Sequence, residues 1–256
     1  MQVIIAKDAD EVGEIAAGII ATRIESGELQ VLGVATGSSP LPVYRALARR
    51  QPTGLGDVAA FALDEYVGLS YEHPESYHSV VEREVTRPLG LRPDRVHVPD
   101  GMAEDLDDAC LRYEAAIADA GGVDLQILGV GANGHIGFNE PTSSFASRTR
   151  VKTLAQATRD DNARFFDRID DVPIHCITQG LGTIMSARSV LLVAHGEAKA
   201  APVAAVVEGP VTSMCPGSIL QMHADATIVV DEAAASSLTL TDYYRFVYDN
   251  RPASQR

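Results

Sequence analysis

A chain of 256 residues, 46% hydrophobic and 22% charged, can bury the core of one α/β domain or two small ones, and disorder is not expected. Its formal net charge of -14 at pH 7 argues against nucleic acid or an anionic membrane as partner, since either favours a clustered basic face. Any anionic ligand must be held by a few placed cations and backbone dipoles against an unfavourable overall field. Three cysteines, Cys110, Cys176 and Cys215, lie far apart with no Cys-x-x-Cys, which argues against a disulfide framework or a zinc site and for a reducing compartment.

In chain order, Met1 to Asp8 reads as a short strand rather than a charged-then-apolar leader, and no apolar stretch approaches the ~20 residues that span a bilayer. A cytoplasmic protein is expected. Helical spacing covers Glu11 to Ser26; the apolar run Val31–Ala35 then leads through Thr36-Gly37-Ser38-Ser39-Pro40 into a helix from Pro42 to Arg50. A second run, Val58–Leu63, ends in an acidic loop, Asp64-Glu65-Tyr66. Asp105 to Ala120 places Leu106, Cys110, Tyr113 and Ile117 at helical spacing, and the run Leu125–Val130 opens into a glycine-rich loop. Residues 142–171 are the least patterned, polar and basic, and suit a small mobile lid. Further strand-length runs follow at Ile174–Thr178, Val190–Ala194 and Thr227–Val230.

Several of these runs are continuous rather than alternating, so both faces are expected to be covered. Strands alternating with helices predict an α/β fold: a doubly wound, mostly parallel, Rossmann-like sheet with helices on both faces. No repeat or linker divides residues 1–256, which predicts a single domain. Open parallel sheets bind ligands outside the carboxyl ends of their strands, so the loops at 36–40, 64–66 and 129–141 are expected to line one cleft.

Each loop has two readings. Thr36-Gly37-Ser38-Ser39 offers N–H groups and hydroxyls to an anion at a helix N-terminus, or is an ordinary helix start; it lacks the glycine-lysine pattern of a P-loop. Gly129-x-Gly131-x-x-Gly134 matches a dinucleotide fingerprint, yet His135, Gly137 and Pro141 follow where a helix should open, and the later region carries Arg150 and Lys152 rather than an acidic residue. His135 is either a hydrogen-bonded loop histidine or, with Glu140 five positions on, one half of an acid–base pair able to pass a proton to a sugar ring oxygen. Glu140-Pro141 alternatively caps a turn. Asp64 and Glu65 are either a solvated acidic turn or supply a general base, should one of them be desolvated.

With these residues in view, the chain resembles the glucosamine-6-phosphate deaminase family over essentially its whole length. The most specific segments are Leu63-Asp64-Glu65-Tyr66-Val67-Gly68-Leu69 with His73-Pro74-Glu75-Ser76-Tyr77, and Gly134-His135-Ile136-Gly137-Phe138-Asn139-Glu140-Pro141; Ser147-Arg148-Thr149 and Asn162-Ala163-Arg164-Phe165-Phe166 add to them. The resemblance implies conversion of glucosamine 6-phosphate and water to fructose 6-phosphate and ammonia, with no metal or organic cofactor. By motif position it implies Asp64 as the base that carries the C2 proton, His135 as the group that protonates the ring oxygen and Glu140 as the carboxylate that orients it. It places the phosphate on Thr36, Gly37, Ser38 and Ser39 with Arg164 and Lys199. Position 133 is Asn where many members have Asp; Asn accepts no proton, so polar positioning is its expected role.

Larger hexameric relatives bind an N-acetylated sugar phosphate at a subunit interface through positions matching Ser143, Arg150, Lys152 and Thr153. The chain end from Asp242 to Arg256 differs from theirs, so at most weak activation is expected, and a homo-oligomer stays an open alternative. The sugar phosphate is the expected partner. Two competing functions are a 6-phosphogluconolactonase, which needs activated water rather than C2 proton transfer, and a non-catalytic sugar-phosphate sensor, whose usual DNA-binding helices are not visible in the sequence.

Overall fold

The computed structural model describes residues 1–252, so the last four residues of the chain-end segment lie outside the described residues. Seven strands form one parallel sheet in the order β1-β10-β9-β6-β2-β3-β5. They are β1 Gln2–Ala6, β2 Val31–Val34, β3 Ala59–Ala62, β5 Val96–His97, β6 Leu125–Leu128, β9 Ser189–Ala194 and β10 Ala226–Asp231. Every residue of β2, β3, β6 and β9 is buried, as expected of strands covered on both faces. The helix Ala9–Glu25 lies against β9, β10 and the helix Leu41–Arg50; Gly13 permits that approach, because a Cβ there would stand 2.5 Å from the Pro42 carbonyl oxygen. No helix among the described residues is long and apolar enough to cross a membrane.

A second, antiparallel sheet departs from the sequence reading. Asp64–Tyr66, expected as a loop, is the short strand β4; it pairs with β8 (His175–Thr178), which pairs with β7 (Arg150–Thr153). The run near 174–178 is therefore a strand of this sheet, not of the parallel one. Three residues carry too little pattern to read as a strand, and β4 exists because cross-strand partners supply its ladder bonds. The segment 142–171 is also more regular than its sequence suggests, containing β7 and a helix, Gln156–Asn162.

Chain order runs outward from β2 through β3 to β5, then crosses back to β6 and outward again through β9 and β10. Adjacent β2 and β6 thus flank the point where the winding reverses, where a ligand crevice is expected. The β3–β4 junction is fixed on both sides: Leu63 N donates to Val34 O at 3.1 Å and Gln179 N to Leu63 O at 2.8 Å.

Candidate active site

A cavity of about 320 Å³ opens at this reversal point. Its walls include Thr36, Gly37, Ser38 and Ser39 after β2, Asp64 on β4, Gly129–Gly131 and His135 after β6, Lys199 after β9, Thr158 and Asp161 on the helix Gln156–Asn162, and Arg164 just past it. All three loops expected to share a cleft do so. No helix follows Gly134, so the dinucleotide turn is not formed; the next regular element is β7.

Asp64 is 5% exposed, and no hydrogen bond to its carboxylate comes from the described residues. Burial, with the charge of Glu65 behind it, pushes its pKa up to about 8. Glu65 turns away from the cavity. Its carboxylate accepts from the N–H groups of Tyr66, Tyr77 and His78 at 2.7, 2.9 and 2.9 Å, holding β4 to the start of the helix Tyr77–Val81. One carboxylate is therefore structural and the other is bare toward the ligand space, which divides two neighbours the sequence left equivalent.

On the glycine-rich loop the polar groups form a relay. Asn133 Nδ2 donates to Glu140 Oε2 at 2.7 Å, and Asn133 Oδ1 lies 2.7 Å from His135 Nδ1 and 3.1 Å from the His135 backbone N. A carboxylate only accepts, so the amide must face it with its NH₂, leaving its oxygen for the imidazole; His135 then carries its proton on Nδ1 and turns a bare Nε2 outward. Glu140 Oε2 is 3.7 Å from Nδ1, an electrostatic contact rather than a hydrogen bond. The orientation of His135 by Glu140 thus passes through Asn133. Burial lowers the pKa of His135, with Glu140 opposing the shift, so the imidazole rests neutral near pH 7. Gly131 makes room for the ring, since a Cβ there would lie 2.1 Å from His135 Cε1. Just past Glu140 and Pro141, Thr142 adopts φ 74°, uncommon for a β-branched residue, and its N–H donates to Ser213 O at 2.8 Å.

At the opposite wall, Gly37 turns with φ 93° and the helix Leu41–Arg50 begins at Pro40 without a side-chain cap. The N–H groups of Gly37, Ser38 and Ser39 have no acceptor among the described residues. Lys199 Nζ donates to Val130 O at 2.7 Å, and both burial and Arg164 lower its pKa. Arg164 is exposed, its guanidinium 4.7 Å from the centre of the Phe165 ring. Unpaired N–H donors at a helix start, on the same cavity as two cations, are groups that can hold an anion in an otherwise acidic protein. Tyr66, Tyr77, Phe138 and Phe166 also line the cavity, with the other three rings packed around that of Tyr66. Ser143, Arg150, Lys152 and Thr153 lie outside the cavity, Ser143 bonded to the Glu140 carbonyl and the other three on β7.

Sequence reasoning missed Thr158, whose hydroxyl meets Glu140, and Asn162, whose Nδ2 donates to Tyr66 Oη at 3.0 Å. Thr158 has no signal around it in the sequence, and Asn162 stands only in a segment that carries the family resemblance, with no role attached to it.

A profile of the glucosamine-6-phosphate isomerases/6-phosphogluconolactonase family matches residues 6–229. The chain belongs to this family. Among curated members it is 58% identical to the glucosamine-6-phosphate deaminase of Pseudarthrobacter chlorophenolicus, covering 100% of this chain and 99% of that protein. The deaminase of Streptomyces avermitilis is 57% identical, with 98% of each chain covered. A solved structure of a monomeric glucosamine-6-phosphate deaminase matches with a TM-score of 0.89 and 41% identity, covering 93% of this chain and 100% of the other. The 6-phosphogluconolactonase of Thermotoga maritima, at 18% identity and a TM-score of 0.71 over 90% of this chain and 99% of its own, shares the family fold alone.

Proposed function

We propose that this chain is a glucosamine-6-phosphate deaminase, isomerising the aminosugar and releasing ammonia. The observation that carries this reading is the undonated Asp64 carboxylate and the His135 imidazole opening onto one cavity with an anion corner. The phosphate rests on Thr36–Ser39, Lys199 and Arg164. With Nδ1 tied to Asn133, His135 Nε2 takes the proton of the anomeric hydroxyl and returns it to the ring oxygen, opening the pyranose. Asp64 then removes the C2 proton, giving an enolamine, and delivers a proton to C1; the resulting C2 imine adds water and loses ammonia, leaving the ketose phosphate. A base buried without donors suits both halves of that transfer, because its proton is neither lost to water nor held too tightly.

Ammonia release from glucosamine 6-phosphate with stoichiometric fructose 6-phosphate tests the reading directly. Hydrolysis of 6-phosphogluconolactone without ammonia release would replace it. The segment 142–171 is proposed as the cover of the bound sugar. For Ser143, Arg150, Lys152 and Thr153 we propose at most a weak activator site: initial rates with N-acetylglucosamine 6-phosphate are expected to rise less than about twofold, and strong sigmoidal activation would count against that limit.

A further inference from the structure

Glu140 is 6% exposed and its two carboxylate oxygens serve different parts of the chain. Oε2 accepts from Asn133 on the glycine-rich loop, while Oε1 accepts from Thr158 Oγ1 at 2.5 Å and from Ala155 N at 3.3 Å. Thr158 is 3% exposed, and a carboxylate offers no proton, so the hydroxyl must donate. Thr158 stands on the helix Gln156–Asn162, whose far end leads to Arg164 at the anion corner. A buried carboxylate with one oxygen left short of donors would turn toward other partners, and the amide that faces its second oxygen would turn with it.

We propose that Thr158 is a positioning residue for ring opening, clamping Glu140 so that Asn133 holds the His135 imidazole toward the sugar. This rests on His135 acting in ring opening.

The test uses the full-length protein and glucosamine 6-phosphate. Thr158→Val keeps the shape and removes the donor; kcat is expected to fall about tenfold while KM stays within about twofold, since a hydrogen bond to a charged group is lost. Thr158→Ser, which keeps the hydroxyl, is expected to retain kcat within about threefold. If Thr158→Val fails to fold by thermal unfolding, Thr158→Ala takes its place with the same readouts. A double-mutant cycle closes the argument: in an Asn133→Ala background the further loss from Thr158→Val should shrink below about twofold, because both act through one relay. Wild-type kcat in the donor-less variants, a loss confined to KM, or a full additional loss in the Asn133→Ala background would each overturn the proposal. His135→Gln separates the two levels: normal turnover there removes the ring-opening role itself, whereas impaired turnover there with an intact Thr158→Val removes only the clamp.

Discussion

Asp64→Asn is expected to lower kcat by about 10²–10⁴-fold while KM changes less than about threefold, because it deletes a proton acceptor and leaves the anion corner untouched. The wild-type rate should climb with pH through about 8 as Asp64 loses its proton, and that rise should be absent from the residual activity of the variant. Stability moves the other way. In the folded protein Asp64 holds its proton up to about pH 8, whereas unfolded it releases it near the ordinary carboxylate value of 3.8. The folded state therefore binds more protons across that window, and stability falls as pH rises through it. Asparagine carries no charge to bury, so the variant should melt several degrees higher than wild type at pH 8, with the gap closing towards pH 4. Retention of normal turnover in Asp64→Asn would remove the base from the mechanism, whatever happened to its melting temperature.

Lys199→Ala is expected to raise KM by about 10²-fold with a smaller change in kcat, and to weaken inhibition by inorganic phosphate in parallel. Lys199 is half-buried, held to Val130 O, and carries its charge where water screens it little. Arg164→Ala should cost less, because the guanidinium is exposed and partly engaged with Phe165. Titrating each variant with phosphate and with the sugar phosphate separates anion affinity from turnover. An unchanged KM in Lys199→Ala would move the phosphate to another wall.

Much of this arrangement is written locally in the chain. The continuous apolar runs that became β2, β3, β6, β9 and β10 follow from strands buried on both faces, and the three loops at their carboxyl ends follow from the parallel winding. What depends on long-range pairing was not legible. Strand β4 is only three residues long and exists through β8, more than a hundred positions away. The direction of Asp64 and Glu65 follows from Glu65 having three backbone N–H donors, two of them from Tyr77 and His78 beyond the intervening loop. Asn133 looked like a departure from an acidic position, and only the geometry shows it as the link between Glu140 and His135. Thr158 is one threonine among many until the fold sets it on Glu140, while Lys199 and Arg164 came from family resemblance rather than from any pattern around them.

The fixed β3–β4 junction has a consequence for substrate length. Leu63, bonded to Val34 on one side and Gln179 on the other, locks Asp64 at a set reach from the anion corner after β2. In a hexose 6-phosphate the carbon four bonds back from the phosphate-bearing carbon is C2, whose hydrogen is acidified by the neighbouring aldehyde. In a pentose 5-phosphate the same count lands on the aldehyde carbon itself, which has no such hydrogen to give. On the proposed mechanism the backbone thus sets the carbon count, and shorter sugars would be gripped without being turned over.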